Sequence, residues 1–332
     1  MGTMGITIGA KCNARCAHCC FSCTPKSTEM LTDAQVLDLV EQALGDERTD
    51  TIGLSGGEAL LREGLVFSVL DRASTVRQNV TLVTNGYWGQ SEQKARKKLE
   101  SLRDAGLHSF TISFDEFHAE YIPPARIENI LNANRDVGLA VRLNVAVTRS
   151  RQGDDLMRRL GTSILRTSVT KFPVLPVGMA ANFDDSEIIR QFRASDDLRC
   201  PGFEPTFHFD GNVYPCCSPA VFESVLKLGS VEEVSLSEAQ KKIERNVVFA
   251  IIRRLGFRWL LDACRRHEIS IPETTSSVVD ACDLCRQLFS DSTFLSLLPP
   301  VVEEAAERLG LGSGTVRTPV RSGALTGREA DL

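Results

Sequence analysis

The chain has 332 residues, with 38 Lys and Arg against 43 Asp and Glu, a formal net charge of -5, 42% hydrophobic residues and 24% charged ones. That length suggests about two domains, each with its own core, and the composition excludes a disordered or collagen-like chain. No run reaches the ~18 apolar residues of a membrane helix, the amino terminus lacks a basic flank before an apolar core, and the acidic balance disfavours nucleic acid, so a cytoplasmic protein with neither membrane nor nucleic-acid partner is expected.

Within an expected first domain of residues 1–190, short β-rich runs alternate with helical periodicity from Ile6 to about residue 172. Strands are expected at 5–9, 51–55, 80–84, 109–114, 140–147 and 169–172. The first helix is announced by Thr32 with Gln35 three residues on, the pattern of a capping box. Further helices are expected at 90–105 and 126–137, ending at Gly106 and Gly138. Six such βα units imply an α/β fold with a parallel sheet curled into a partial (β/α)6 barrel, which binds ligands at the carboxyl ends of its strands. Prolines crowd the chain after Pro173, and Asp210-Gly211 between Phe207 and Tyr214 reads as a hairpin turn. Helical patterns return at 237–263 and 294–309. A smaller, cysteine-bearing domain is therefore expected over 191–309. Residues 310–332 read as a mobile tail, rich in Gly, Ser, Thr and Arg without apolar periodicity.

Eleven cysteines in a long chain with no secretory signal point to metal or redox chemistry rather than disulfides. Cys12, Cys16 and Cys19 fall within eight residues directly after the first predicted strand. A loop there can aim three thiolates at one four-iron cluster and leave one iron open to the amine and carboxylate of S-adenosylmethionine. The alternative is a zinc knuckle completed by His18. Ser55-Gly56-Gly57-Glu58 ends the second strand, where adjacent glycines allow close backbone approach and a carboxylate can hold an ammonium. Thr84-Asn85-Gly86 and Ser113-Phe114-Asp115 end the third and fourth strands; a turn and a helix cap are the alternatives there.

The spacing of the three cysteines resembles the signature of radical SAM enzymes. The resemblance implies that Gly56, Gly57 and Glu58 bind the methionine amino group of the cofactor. It places contacts to ribose and carboxylate at Asn85, Ser113 and Asp115, with Asn144 a lesser candidate. Cys200, Gly211, Cys216 and the pair Cys282 and Cys285 resemble the twitch module, a shortened SPASM domain, whose four cysteines hold a second [4Fe-4S] cluster; a structural zinc site is the alternative. Cys264 reads as a core thiol, and Cys20 and Cys23 as packing around the first cluster.

Cys19-Cys20-Phe21-Ser22-Cys23, Asn85-Gly86-Tyr87-Trp88, Ser113-Phe114-Asp115-Glu116-Phe117-His118, Lys171-Phe172-Pro173, Cys200-Pro201-Gly202 and Tyr214-Pro215-Cys216-Cys217-Ser218-Pro219 resemble the radical SAM epimerase of the epipeptide pathway. The match runs from Ile6 to about Phe289. It implies conversion of L-residues to D-residues in a ribosomally made peptide. A 5'-deoxyadenosyl radical removes an α-hydrogen, and Cys217 returns hydrogen from the opposite face; a spare packing thiol is the alternative for Cys217. By the same resemblance an acidic residue helps position the substrate, and this chain has Glu204 where the relative has Asp; a solvated loop is its alternative. His118 and Lys171 read as a surface histidine and a strand-end lysine. The implied partners are a short precursor peptide and an electron donor such as flavodoxin or ferredoxin. Cys12 comes so early that a separate leader-recognition domain is not expected before it. Two other functions stay open: a radical SAM epimerase or dehydrogenase of a sugar, aminoglycoside or nucleoside, and a non-catalytic metal-binding redox protein.

Overall fold

The structure, a computed structural model, describes residues 2–76 and 78–311. The first strand, β1 (Gly2–Thr7), leads through a long loop to α1 (Asp33–Leu44), which Thr32 and Gln35 cap reciprocally as the sequence predicts. Then follow β2 (Thr49–Ser55), α2 (Glu63–Ser74), β3 (Asn79–Thr84), α3 (Glu92–Asp104), β4 (Ser109–Ser113), the single turn α4 (Glu116–Ala119), α5 (Pro124–Val137), β5 (Ala140–Val147), α6 (Asp154–Leu160) and β6 (Ser168–Pro173). The six strands are parallel and lie in sequence order. Their alternation is the cause of the layering. Met4, Ile52 and Val80 stand in register, as do Ile6, Leu54, Leu82 and Phe110, and all are buried in one core with Val36, Val40, Val69 and Leu99 of the helices. This is the expected parallel α/β sheet of a partial barrel.

The later chain adds to this sheet. A short strand β7 (Phe192–Arg193) precedes the hairpin β8 (Thr206–Phe207) and β9 (Asn212–Tyr214), which turns at Gly211 in the left-handed region, with φ 83°. Strand β8 pairs in parallel with β1, and β10 (Gly229–Ser230) pairs with β9, so the sheet order is β10-β9-β8-β1-β2-β3-β4-β5-β6.

Where one helical pattern was expected over 237–263, three helices form: α7 (Leu236–Arg245), α8 (Val247–Ala250) and α9 (Phe257–Arg266). Asn246 caps α8 through its side chain, and Gly256 takes φ 91°, so the apolar period continues while the backbone turns. Strand β11 (Ser277–Val278) pairs with β7, and α10 (Ala281–Leu288), which sequence reasoning missed, follows directly. Helices α11 (Ser292–Leu297) and α12 (Pro299–Leu309) divide the last predicted helix at Leu298, ahead of Pro299. Of the expected tail, residues 312–332 lie outside the described residues.

Candidate functional site

Because the barrel strands are parallel, the loops after β1, β2, β3 and β4 share one end. The loop after β1 carries Cys12, Cys16 and Cys19, and it is pinned from beneath by the loop after β2. Gly57 N donates to Gly9 O at 2.8 Å and Glu58 N to Lys11 O at 3.0 Å. The approach is so close that a Cβ on Gly57 would sit 2.5 Å from Lys11 O and one on Gly56 2.6 Å from Gly9 O. That is the physical reason for two adjacent glycines here.

Cys12 and Cys16 are buried and Cys19 half-buried. Donors point at the sulfurs: Ala14 N lies 3.4 Å and Asn85 Nδ2 3.6 Å from Cys12 Sγ, and Cys23 N lies 3.3 Å from Cys19 Sγ. Burial pushes the Cys12 thiol up to about 11 and Cys16 higher still. Cys19 goes the other way, because the thiol and backbone N–H of Cys23 both favour its thiolate. Sheltered sulfurs that accept N–H bonds suit an iron–sulfur cluster, whose iron would draw off the protons that burial retains.

Glu58 is buried beside Cys12. One carboxylate oxygen accepts from Leu60 N at 3.0 Å and Thr84 Oγ1 at 2.9 Å, and the other from Asn85 N at 2.7 Å. Burial outweighs these neutral donors and raises its pKa to about 7. A buried carboxylate whose hydrogen-bond donors are all neutral is a fitting seat for an ammonium group. Asn85, expected to meet the cofactor directly, binds Asn13 Oδ1 at 2.9 Å and reaches Cys12. Ser113, the last residue of β4, stands beside Asn144, midway along β5, both half-buried.

Asp115 is 1% exposed and does several things at once. It caps α4 through Phe117 N and His118 N, accepts from Ala146 N, and binds the rings of His118 and His18. Burial opposes its charge, but the two imidazoles hold it far below the usual carboxylate range. His118 is thus no surface histidine: its side chain is 14% exposed and anchored on this carboxylate. The signal was its place three residues after Asp115, where a helical turn returns a side chain to the capping residue. Lys171 pairs with Asp154 at the start of α6.

The second cysteine group is assembled by tertiary structure. Cys200, Cys216, Cys282 and Cys285 line one cavity with Phe203, Val221, Ile252 and Phe257. Cys200 is held by its N–H to Ile252 O at 2.8 Å, and Asp280 caps α10 through Cys282 N and Asp283 N. Burial and the neighbouring sulfurs push Cys285 well above the usual thiol range. Cys264 is fully buried in α9, within the hydrophobic core.

Cys217 is exposed at the rim. Crowding by surrounding protein, then the hydrogen-bonded carboxylate of Glu204, hold its thiol strongly protonated. Glu204 is fixed by its own N–H to Pro215 O at 2.9 Å. The two cysteine groups are joined by aromatic contact: Phe222 packs edge-on to Phe21, centroids 5.2 Å apart, and His208 lies against both. Gly178 completes the joint, with its N–H on Glu223 and Met179 N on Cys19 O. Among the described residues no helix is long and apolar enough to cross a membrane.

Comparison with known proteins gives the family. A family model of the Radical SAM superfamily matches residues 6–145. The chain is 32% identical over 310 residues to YydG of Bacillus subtilis (strain 168), provisionally named a peptide biosynthesis protein, covering 91% of this chain and 96% of that one. It is 30% identical over 179 residues to the GTP 3',8-cyclase of Campylobacter curvus (strain 525.92), about half of each chain. In fold it is similar to native anSMEcpe with bound AdoMet and Cp18Cys peptide, with TM-score 0.57 and 15% identity over 92% of this chain and 99% of that one. The chain therefore belongs to the radical SAM superfamily, in the same family as YydG, and the enzymes of that superfamily use S-adenosylmethionine with a [4Fe-4S] cluster.

Proposed function

We propose that this enzyme is a peptide epimerase that inverts L-residues to D-residues in a short precursor peptide, with Cys217 as the hydrogen donor. Cys12, Cys16 and Cys19 hold the first cluster, and Glu58 takes the ammonium of S-adenosylmethionine over the Gly56-Gly57 turn. Asn85 fixes the Cys12 thiolate, Ser113 and Asn144 line the cofactor's side of the mouth, and Asp115 shapes that side from beneath as the buried cap of α4 and the anchor of His18 and His118. Cys200, Cys216, Cys282 and Cys285 hold an auxiliary four-iron cluster within a second domain spanning 191–309, which packs on the barrel of 1–190. When bound, cluster and cofactor supply a 5'-deoxyadenosyl radical that takes the α-hydrogen of a peptide residue.

Cys217 does the rest. Its S–H bond breaks homolytically and the hydrogen atom goes to the face opposite the abstraction, leaving a sulfur radical. One electron from a donor of the flavodoxin or ferredoxin class and one proton restore the thiol. Glu204 keeps that thiol protonated and is placed to return the proton. The observation that carries the reading is this pair: Cys217 lies outside both proposed sets of cluster ligands, and it is exposed beside the carboxylate of Glu204. A thiol can give a hydrogen atom only while it still has one. The peptide substrate is inferred from YydG's name and from the peptide bound in the anSMEcpe structure.

Anaerobic turnover in heavy water with synthetic short peptides as candidate precursors tests this. Deuterium at an α-carbon that has become D-configured is expected. Cys217→Ala is expected to consume cofactor without inverting, and full inversion by that variant defeats the reading.

A further inference from the structure

The loop after β3 and the first two turns of α3 enclose a basic groove of about 430 Å³, whose lining includes Tyr87, Trp88, Gln90, Lys94, Lys97 and Lys98. Helix α3 buries Ala95, Leu99 and Leu102 and leaves Lys94 and Lys97 exposed. Three lysines line the groove and, among the described residues, no carboxylate does. Lys98 pairs with Glu63, while Lys94 Nζ donates to the neutral Gln90 Oε1 at 2.6 Å. The wall is fixed before anything binds: Arg126 Nη1 donates to Tyr87 O at 2.5 Å and Asn129 Nδ2 to Gly89 O at 2.9 Å, so docking orders little backbone.

The groove also stands close to the first cysteine group. Tyr87 N donates to Asn85 Oδ1 at 3.1 Å, and Asn85 Nδ2 lies 3.6 Å from Cys12 Sγ. Two contacts therefore separate a groove-lining residue from a sulfur of that group. Trp88 Nε1 donates to Thr84 Oγ1 at 3.1 Å, and Thr84 shares with Leu82 the face of β3 that packs on the helices. The groove thus opens on the helix side of the sheet. A protein seated in it leaves the opposite face of β3, where Val83 is exposed, free for cofactor and peptide. Electron transfer falls off steeply with distance, so a carrier that serves the first cluster has to dock near Cys12.

We propose that this groove docks the electron donor, a small acidic one-electron carrier protein of the flavodoxin class. The lysines match the acidic surface of such a carrier, which a chain of formal net charge -5 would otherwise repel. The docked carrier loses one electron to the cluster, and no bond forms or breaks. The inference rests on the reading above that Cys12 is a cluster ligand and that a protein supplies the electron.

The test uses the full chain, reconstituted anaerobically, with purified flavodoxin as the probe. Calorimetric titration with oxidised flavodoxin reads docking without turnover. Cofactor cleavage driven by flavodoxin hydroquinone or by dithionite reads electron delivery. Lys94→Glu/Lys97→Glu, at two exposed positions of α3, is expected to weaken flavodoxin binding on the order of tenfold at low salt. It slows flavodoxin-driven cleavage in proportion and leaves dithionite-driven cleavage unchanged. Added salt weakens binding by the wild type more than by this variant. Lys241→Glu/Arg245→Glu, an equal charge change at exposed positions of α7, leaves binding and both cleavage rates unchanged. Unaltered binding by Lys94→Glu/Lys97→Glu overturns the proposal, as do equal losses in the two double variants or no flavodoxin binding by the wild type. If dithionite drives no cleavage in the wild type, the underlying cluster reading falls, while the titration still decides the docking site.

Discussion

The two cysteine groups reach similar ends by different routes. Cys12, Cys16 and Cys19 sit on one loop, held by backbone contacts to the turn after β2. Cys200, Cys216, Cys282 and Cys285 come from three separate segments and meet in a cavity walled by Phe203, Ile252 and Phe257. The first group is a local construction whose geometry follows from spacing and two glycines. The second exists only once the surrounding helices have packed. On the proposed reading, in which each group holds its own cluster, a change at one group should damage its own metal and spare the other.

The largest effects test that separation. Cys12→Ala is expected to abolish cofactor cleavage and leave the C-terminal metal in place. Cys285→Ala should remove the C-terminal metal and keep cleavage within severalfold of wild type, while peptide inversion is lost. Iron analysis and cleavage assays on both variants check this, and a common loss in either variant would show the two groups to be one cooperative unit.

Next comes Glu58, which belongs to the local group. Its folded pKa is raised by burial to about 7 from an ordinary 4.5, so the cofactor-free fold binds this proton more tightly than the unfolded chain does. The stabilising contribution is complete below about 4.5 and is lost as pH rises through about 7, a change of about 3 kcal/mol. Glu58→Gln should flatten that part of the urea stability profile of the cofactor-free chain. Cofactor affinity runs the opposite way, because an ammonium prefers the carboxylate, and should rise with pH through the same range. In Glu58→Gln it should fall by about 10–100-fold, the worth of a charged hydrogen bond. Binding by the variant that equals wild type would remove Glu58 from the cofactor seat.

The same contrast decides what could be read in advance. Strands β1 to β6 were legible within one or two residues at most ends, because β-branched alternation is a local property. The cysteine triad and Gly56-Gly57-Glu58 were legible for the same reason. The breaks at Asn246 and Gly256 were not, since apolar spacing continued across them while the backbone turned. Nor was the pairing of β8 with β1, which joins residues about 200 apart in the chain. His18 and His118 were missed as a pair because only Asp115, between them in space, brings their rings together.

The smallest expected effect is also the most discriminating. Thr32 and Asp280 are both helix caps, and each is expected to cost about 1 kcal/mol when replaced by alanine. Thr32→Ala frays the start of α1, a helix that carries no cysteine, so its cost should appear chiefly in a melting curve. Asp280→Ala releases Cys282 N and Asp283 N at the start of α10, the short helix that carries both Cys282 and Cys285. With only eight residues, α10 cannot absorb a lost cap by fraying without moving its sulfurs. For a similar loss of stability, Asp280→Ala should therefore release C-terminal metal to a chelator faster than Thr32→Ala does. Equal release rates would mean that the cavity walls, and not the helix, fix the four thiolates.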